Sequence, residues 1–315
     1  MYPSLSFTKI SVHNNLTIYN LPVKIVSSNL YIGKSSVIEE NNKVIVKMLT
    51  MNDVHAILKK NDKIRRFMQM SKTAIITGGS RGIGNAMSMK LGEMGYNVVI
   101  NYRSESSKSI SDDLAKEISE KYGVETLVVR ADVSKYQDCE LLVKAAVEKF
   151  GDKIDVLINN AGITNNCNFI DITKEQYTAV IDTNLMSLMH MCHLALPYMV
   201  DKDTCIINTS SIGALIGVAN QADYCASKSG VLGLTRALAL EFAGRKVRVN
   251  AIAPGMIMSD MLRGVNQEEL NALAATIPQG RIGDVSDIAG CMEYLIRASY
   301  VTGQTISPNG GIVMP

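Results

Sequence analysis

Tyr224 and Lys228 are the residues whose types and spacing most directly suggest chemistry in this sequence. They open a predicted helix that continues through residues 230–242, and side chains four apart lie on one helical face. A nearby ammonium stabilises a phenolate, so we expect Lys228 to lower the pKa of Tyr224. A tyrosine tuned towards neutral pH can protonate a carbonyl oxygen whose carbon receives hydride. The spacing alone is also typical of surface pairs, so it needs partners.

A hydroxyl partner comes at the end of the preceding apolar run. Residues 206–211 are predicted to be a buried strand that ends in hydroxyls, among them those of Ser210 and Ser211. The Ser211 hydroxyl could hydrogen-bond a substrate carbonyl. Helix capping is the alternative role for both serines.

A glycine-rich segment, residues 77–84, follows a predicted strand and opens a predicted helix. Glycine lets the backbone turn sharply and approach a phosphate closely, and the helix N-terminus supplies free N–H groups and a favourable dipole. A glycine-rich turn alone is weak evidence, but this strand–turn–helix context is the one that a dinucleotide site requires. The predicted cofactor contacts are Gly78, Ser80, Arg81, Gly82, Ile83 and Gly84.

The end of the second predicted strand indicates which dinucleotide binds. NAD-binding folds usually place an acid there, where it binds the ribose 2′-hydroxyl. Here Tyr102 is followed by Arg103, which can pair with a 2′-phosphate with help from Arg81 in the glycine-rich segment. NADP(H) is therefore predicted. Solvation is the alternative for both arginines, and Glu105, just beyond, keeps NAD(H) open.

Short apolar runs alternate with helical segments from residue 71 onwards. The predicted strands are 73–76, 97–101, 126–129 and 156–158, and the predicted helices are 85–94, 109–122 and 141–150. Strands that alternate with helices form parallel βαβ units. We predict an α/β fold, a Rossmann-type doubly wound parallel sheet, for residues 71–315.

Residues 1–70 differ from the rest and are predicted to be an N-terminal extension of uncertain structure. They hold ten Lys/Arg and four Asp/Glu, with short runs at 16–19, 23–26 and 44–46 that could be strands and a helical start at 53–60. An accessory domain, a partly ordered extension and a targeting peptide all stay open. A further alternative is that the segment is not part of the native protein, because Met70 precedes the first strand as a start residue would.

The bulk composition restricts the function classes. The chain is 47% hydrophobic and 20% charged with a net charge of +2, which is ordinary for a soluble globular protein and favours neither nucleic-acid nor membrane binding. The six cysteines form no Cys-x-x-Cys pair, so no metal site is expected. Without a convincing signal peptide, the protein is expected in the cytoplasm.

Taken together, the motifs resemble the classical short-chain dehydrogenase/reductase family over about residues 71–315. Those motifs are residues 77–84, Asn159-Asn160-Ala161-Gly162, Asn184, Ser211, Tyr224 with Lys228, and Pro254-Gly255. The resemblance implies that Tyr224 donates the proton in reduction, that Lys228 binds the nicotinamide ribose, that Ser211 orients the carbonyl, and that Asn184 holds a water in the proton relay.

The resemblance also implies further cofactor contacts. Asp132 would touch the adenine, and Asn160, Ala161 and Gly162 would lie beside the cofactor, which Tyr224 and Lys228 would also contact. The nicotinamide pocket would be lined by Pro254, Gly255, Ile257 and Ser259. Turn formation is the alternative for the asparagines, and helix capping is the alternative for Asp132.

Within the family, the chain is most similar to 3-oxoacyl-[acyl-carrier-protein] reductases at residues 159–164, 249–255, 302–305 and 309–311. This resemblance implies NADPH-dependent reduction of a 3-oxoacyl thioester in fatty acid synthesis. Lys202 and Arg245 would dock an acyl carrier protein, residues 256–280 would form a substrate lid, and the assembly would be a homotetramer. Asn165 and Ser307-Pro308 depart from the usual pattern. A sugar, a steroid or another small ketone stays open as substrate, and a non-catalytic NADP-binding scaffold is a further alternative.

Overall fold

A computed structural model describes residues 72–258 and 266–314, together with seven strands between residues 5 and 47. The chain divides into two compact units, Met1–Met70 and Ser71–Pro315. The strands of the first unit pair only in antiparallel fashion, in sheets of order β1-β4-β5 and β2-β3-β6-β7. Their bounds are β1 (Leu5–Phe7), β2 (Ile10–Val12), β3 (Leu16–Tyr19), β4 (Leu21–Val26), β5 (Asn29–Ile32), β6 (Ser36–Glu40) and β7 (Lys43–Lys47). The three predicted strands are confirmed, and the predicted helix at 53–60 lies outside the described residues.

The second unit is built on a seven-stranded sheet in which every pairing is parallel. Its order is β10-β9-β8-β11-β12-β13-β14. The strands are β8 (Thr73–Ile76), β9 (Asn97–Tyr102), β10 (Thr126–Arg130), β11 (Val156–Asn159), β12 (Thr204–Thr209), β13 (Val247–Ile252) and β14 (Thr305–Ile306). The predicted Rossmann-type parallel sheet is confirmed.

Helices connect these strands. They are α1 (Gly82–Glu93), α2 (Lys108–Tyr122), α3 (Tyr136–Phe150), α4 (Lys174–Ile181), α5 (Ser187–Ala195), α6 (Gly213–Ile216), α7 (Ala222–Phe242), α8 (Gln267–Ala275) and α9 (Val285–Arg297). Thr173 and Asp284 begin α4 and α9 with reciprocal capping boxes, which satisfy otherwise unpaired backbone N–H groups. Within the described residues, no helix has the length and apolarity needed to cross a membrane.

The helices cover both faces of the sheet. On one face, α1, α2 and α9 bury Met87, Leu91, Ile118 and Met292 against strand residues such as Ile76 and Ile100. On the other face, α3, α5 and α7 bury Leu142, Met191 and Ala239 against Ile75, Leu157 and Ile206. Because both faces are covered, the central strands carry continuous apolar runs rather than an alternating pattern.

The strand order places the site. From β8 the chain moves outward to β9 and β10 and then returns to β11 on the other side of β8. In open α/β sheets, ligands bind outside the carboxyl ends of the strands at such a switch point. The glycine-rich segment follows β8, and Asn160 follows β11, so both motifs meet at this edge.

Candidate active site

The glycine-rich segment adopts a backbone that larger residues would not tolerate. Gly78 and Gly82 have φ values of 60° and 49°, in the left-handed region that favours glycine. A Cβ on Gly84 would lie 2.0 Å from the carbonyl oxygen of Gly78 and 2.8 Å from Asn160 Nδ2. The first turn of α1 therefore packs directly against the start of the loop, which leaves no room for a side chain.

Side chains from three strands fix this loop. The Thr77 hydroxyl accepts the backbone N–H groups of Asn160 and Ala161 at 2.9 and 3.1 Å, and the Asn160 amide donates to the carbonyls of Thr77 and Gly78 at 3.1 and 3.0 Å. From the other side, Asn101 Oδ1 accepts the Gly78 N–H at 3.2 Å. The Asn160 side chain thus holds the loop, whereas a contact of Asn160 with the cofactor stays a prediction.

Buried polar side chains such as Thr77 and Asn101 were not among the predicted site residues. Asn101 also donates to the carbonyl of Ala131 at 3.0 Å, which ties β9 to the strand beyond it. Its only sequence signal is an amide in an otherwise apolar strand, which is costly to bury unless it is paired. The two asparagines clamp the phosphate-binding turn from opposite sides.

The residues predicted to contact the adenosine follow the outer strands β9 and β10, and we call the cleft beside them the cofactor groove. Arg103 and Asp132 line a cavity of about 430 Å³ together with residues of α4. Asp132 Oδ1 accepts the N–H and the hydroxyl of Ser134 at 3.2 and 2.8 Å. The residue before α3 is Lys135, so Asp132 forms a turn rather than capping that helix. Its adenine contact stays a prediction.

The other residues of the glycine-rich segment differ in exposure. Ser80 is buried, Ile83 packs against the core, and Arg81 is exposed in extended conformation just before α1. Arg81 is therefore accessible to a ligand, as is the exposed Arg103.

Tyr224 and Lys228 lie in the first turns of α7, as predicted. The Lys228 ammonium is 5.8 Å from the centre of the Tyr224 ring and donates to the Thr209 carbonyl at 2.8 Å. An ideal Cβ built on Gly213 would lie 3.5 Å from Ser211 Oγ and 3.6 Å from Tyr224 Cε1, so these two side chains converge beside Gly213. Ser211 Oγ also accepts the Gly213 N–H at 3.1 Å, whereas Ser210 is buried and donates to the Lys228 carbonyl.

The predicted lowering of the Tyr224 pKa is wrong. Burial raises the pKa of Tyr224 above its usual value, and the neighbouring Ser211 hydroxyl only partly opposes this effect. Burial also lowers the pKa of Lys228 to about 8, because the ammonium loses hydration without gaining a carboxylate. A lysine that is partly neutral near pH 8 gives a phenolate little electrostatic support.

Asn184 is fully buried in a π-helical turn, Asp182–Met186, between α4 and α5. Its Oδ1 accepts the Ile163 N–H at 2.8 Å, and its Nδ2 donates to the Ile163 carbonyl at 2.8 Å and to Ser227 Oγ at 3.1 Å. Both amide hydrogens are used, so the side chain holds the strand-to-helix segment after β11 in place. Such one-turn irregularities are frequent at functional sites. A water on Asn184 stays a prediction.

The wall predicted for the nicotinamide follows β13. Gly255 lies so close to Asn309 that an added Cβ would be 2.6 Å from Asn309 Cα, and its N–H donates to the Pro308 carbonyl at 2.9 Å. The unusual Ser307 donates to the Ala253 carbonyl at 2.7 Å. The C-terminal departures from the family pattern thus support this wall.

Ile257 and Pro254 complete the described part of the wall. Ile257 is buried and bridges to Gly283, and the Pro254 carbonyl accepts the Ile212 N–H. Ser259 lies outside the described residues. In the predicted lid, helix α8 is described, and residues 259–265 are not.

Asn165 also has a structural role that was not predicted. Its Nδ2 donates to Asp223 Oδ2 at 3.0 Å, while Asp223 Oδ1 accepts the Tyr224 N–H at 2.8 Å. The Cys167 N–H donates to the Asn220 carbonyl at 2.9 Å. The segment after β11 is therefore fastened to the residue that precedes the tyrosine. No motif signals this, because Asn165 and Asp223 are 58 positions apart in sequence.

Lys202 and Arg245 lie at the opposite edge of the sheet, just before the first residues of β12 and β13. Arg245 forms a two-pronged ion pair with Asp201, with N–O distances of 2.7 to 3.1 Å. Lys202 Nζ donates to the Asp152 carbonyl at 2.7 Å. Both cations are thus engaged within the chain, and their contact with a carrier protein stays a prediction.

The residues at the switch point fit a phosphorylated dinucleotide. The loop between Gly78 and Gly84 lies at a helix N-terminus and has glycine at four of its seven positions, which suits the close approach of a pyrophosphate. The buried Lys228 ammonium donates only to the Thr209 carbonyl among the described residues, which leaves two of its three hydrogens without a partner there. Their contact with ribose hydroxyls stays a prediction. Arg103 lines the outer cavity, and its pairing with a 2′-phosphate stays a prediction.

Comparison with known proteins decides the family. A family model described as Enoyl-(Acyl carrier protein) reductase matches residues 78–313. The 3-oxoacyl-[acyl-carrier-protein] reductase FabG of Staphylococcus aureus is 40% identical over 250 residues, which cover 78% of this chain and 100% of that protein. The chain belongs to the short-chain dehydrogenase/reductase family. The predicted family and the predicted class of enzyme, an oxidoreductase, are confirmed.

Other short-chain dehydrogenase/reductases extend the likeness. The acetoacetyl-CoA reductase of Shinella zoogloeoides is 42% identical over 77% of this chain and 98% of that protein. A blue fluorescent protein from a metagenomic library, solved with NADPH, has a TM-score of 0.73 and 33% identity over 77% of this chain and 98% of its own. A variant of actinorhodin polyketide ketoreductase, also solved with NADPH, has a TM-score of 0.70 and is 33% identical over 77% of this chain and 97% of its own.

Proposed function

We propose that this chain reduces a 3-oxoacyl thioester to the 3-hydroxyacyl thioester with NADPH. The observation that carries the proposal is the convergence of Ser211 and Tyr224 beside Gly213, with the buried Lys228 one helical turn away. The relatives named for 3-oxoacyl-[acyl-carrier-protein] and acetoacetyl-CoA reduction support the substrate class. The two solved neighbours with NADPH support the cofactor.

The raised pKa of Tyr224 suits the reductive direction. A phenol that stays protonated at neutral pH has a proton to give, and the Ser211 hydroxyl can orient the same carbonyl oxygen by donating a hydrogen bond. When bound, NADPH supplies the hydride that adds to the carbonyl carbon. Lys228, with its pKa near 8, can bind ribose hydroxyls and return a proton towards Tyr224 at physiological pH.

Exposed apolar side chains in the segments that follow Asn165 and Ser211 in sequence favour an acyl chain over a sugar. Phe169 and Ile170 are 69% and 91% exposed, and they follow the segment that Asn165 and Cys167 fasten to α7. Ile216 is 56% exposed and lies between Ser211 and Tyr224 in sequence. A sugar would need several polar partners here, whereas a hydrocarbon gains by covering such surface.

We also propose that residues 71–315 are the catalytic domain and that the active form is a homotetramer. Lys202 and Arg245 would dock an acyl carrier protein after Asp201 releases Arg245. Because these cations lie at the amino-terminal edge of the sheet, a carrier bound there would be far from Tyr224 of the same protomer. Sedimentation of the full chain and of a variant lacking residues 1–69 tests the assembly, and NADPH-dependent turnover by that variant tests the domain.

The decisive experiment measures NADPH oxidation with acetoacetyl thioester, with NADH and a Tyr224→Phe variant beside it. We expect turnover with NADPH that the variant loses by at least about a hundredfold, because general acid catalysis contributes that much, while its NADPH affinity is unchanged. A crotonyl thioester tests the enoyl reduction named by the family model. Turnover of crotonyl but not acetoacetyl thioester would replace the proposal with enoyl reduction.

A further inference from the structure

Glu105 and Arg130 form an ion pair beside the predicted 2′-phosphate position. Glu105 follows the end of β9, and Arg130 is the last residue of β10. Arg130 Nη1 lies 2.6 Å from Glu105 Oε2, and Arg130 Nε donates to the Arg103 carbonyl at 3.2 Å. One guanidinium therefore holds both the acid and the backbone of the arginine that lines the groove.

Glu105 is the acid closest in sequence to the strand tip that selects between the two dinucleotides. A free carboxylate at that point would accept a hydrogen bond from the 2′-hydroxyl of NADH and would repel the 2′-phosphate of NADPH. Arg103 lines the groove, and no carboxylate within residues 72–258 or 266–314 lies within ion-pair distance of it. Its guanidinium is thus available for a phosphate.

We propose that Arg130 is a specificity-determining residue for NADPH, because it holds the Glu105 carboxylate away from the ribose. Arg130 acts through Glu105, so it is a positioning residue and makes no contact with the cofactor. The inference rests on the proposed function, since it assumes that NADPH binds in this groove. The pair is exposed, with side chains 56% and 66% accessible, so we expect a modest effect.

Calorimetric titration of the full chain with NADPH and with NADH, without substrate, tests the proposal. Arg130→Gln should lower the ratio of the NADH Kd to the NADPH Kd by about twofold to fivefold, the range that exposed ion pairs support. Glu105→Gln should keep or raise that ratio. In the double variant the ratio should equal that of Glu105→Gln, because the acid that Arg130 restrains is gone.

Lys149→Gln is the matched control, because it breaks another exposed ion pair, in which Lys149 lies 2.9 Å from Glu125 at the opposite end of β10. It changes the net charge equally and should leave the ratio unchanged. An unchanged Kd ratio in Arg130→Gln would overturn the proposal. So would a decrease in the ratio that is as large in the Glu105→Gln background as in the wild type, because Arg130 would then act on the phosphate directly. Wild-type protein that binds neither nucleotide would instead refute the proposed function.

Discussion

Gly84→Ala is the substitution for which the structure makes the sharpest prediction. The new methyl group would stand 2.0 Å from the Gly78 carbonyl oxygen and 2.8 Å from Asn160 Nδ2. The first contact is with backbone, which cannot rotate away as a flexible side chain would. Either the glycine-rich loop or the first turn of α1 must therefore shift by about 1 Å to restore an ordinary contact distance.

The cost of that shift follows from the packing. Overpacking by one methyl group costs about 1–3 kcal/mol where the surroundings are rigid. For a unit of this size, that lowers Tm by about 2 to 12 °C. The same displacement moves the N–H groups that would bind the pyrophosphate, so NADPH affinity should fall by at least about tenfold, since misplaced binding groups lose much of their contribution.

Gly290→Ala is the matched control. Gly290 lies within α9, and a Cβ there would meet nothing within 4 Å. In an exposed helix, alanine is favoured over glycine by about 0.5–1 kcal/mol, so this variant should be slightly more stable and should bind NADPH normally. The assays are thermal unfolding followed by circular dichroism and titration with NADPH.

The reasoning fails if Gly84→Ala unfolds at the wild-type temperature and binds NADPH with the wild-type Kd. That result would mean that the loop yields without strain and that its backbone does not contact the cofactor. Lower stability with unchanged affinity would keep the steric argument but remove the loop from the binding site.

Three further predictions concern other parts of the site. Burial lowers the pKa of Lys228 from 10.5 to about 8. Between pH 8 and 10.5, Lys228 is therefore protonated in the unfolded chain but mostly neutral in the folded chain. Its contribution to the free energy of unfolding consequently increases as pH rises through this range. The free energy of unfolding of the wild type minus that of Lys228→Met should increase by roughly 3 kcal/mol between pH 8 and 10.5. A difference that does not change with pH would refute the buried ammonium. Asn165→Ala removes a hydrogen-bond partner of Asp223 and frees the segment after β11. The KM for the thioester should therefore rise about threefold to tenfold, with a smaller change in kcat. An unchanged KM in steady-state assays would contradict a role of Asn165 in holding this segment. The double variant Lys202→Ala with Arg245→Ala should lower kcat/KM for the carrier-bound substrate but not for the CoA thioester, and equal effects on both would exclude docking at this edge.

Much of the fold was readable from the sequence because parallel βαβ units leave strong local signals. Strands β8, β9 and β11 are buried along their whole length, whereas β10 lies at the edge of the sheet and is only partly buried. The apolar runs of these four strands gave nearly correct limits. Helix starts were less accurate. Helix α1 begins at Gly82 rather than residue 85, and α3 begins at Tyr136 rather than residue 141. In both cases the first turn lacks the apolar periodicity on which the prediction relied.

The reactive residues were also predictable, since Tyr224 and Lys228 are local neighbours on one helix. The direction of the Tyr224 pKa was not, because it depends on burial rather than on spacing. Sequence reasoning counted the ammonium as a full charge beside the phenol. In the fold, Lys228 is buried without a carboxylate, and burial acts on both groups against their charged forms.

The contacts that hold the site together were hardest to predict, because they join residues far apart in the chain. Asn160 binds the loop after β8, Asn184 binds the backbone of Ile163, and Asn101 binds Gly78. Each asparagine replaces a missing backbone partner where a strand ends and regular pairing stops. A short motif records that an amide is required there, but it does not say whether the amide faces the ligand or the backbone. Substituting each asparagine separately while measuring both NADPH affinity and Tm distinguishes these roles, since a residue that only holds the backbone should lower the two together.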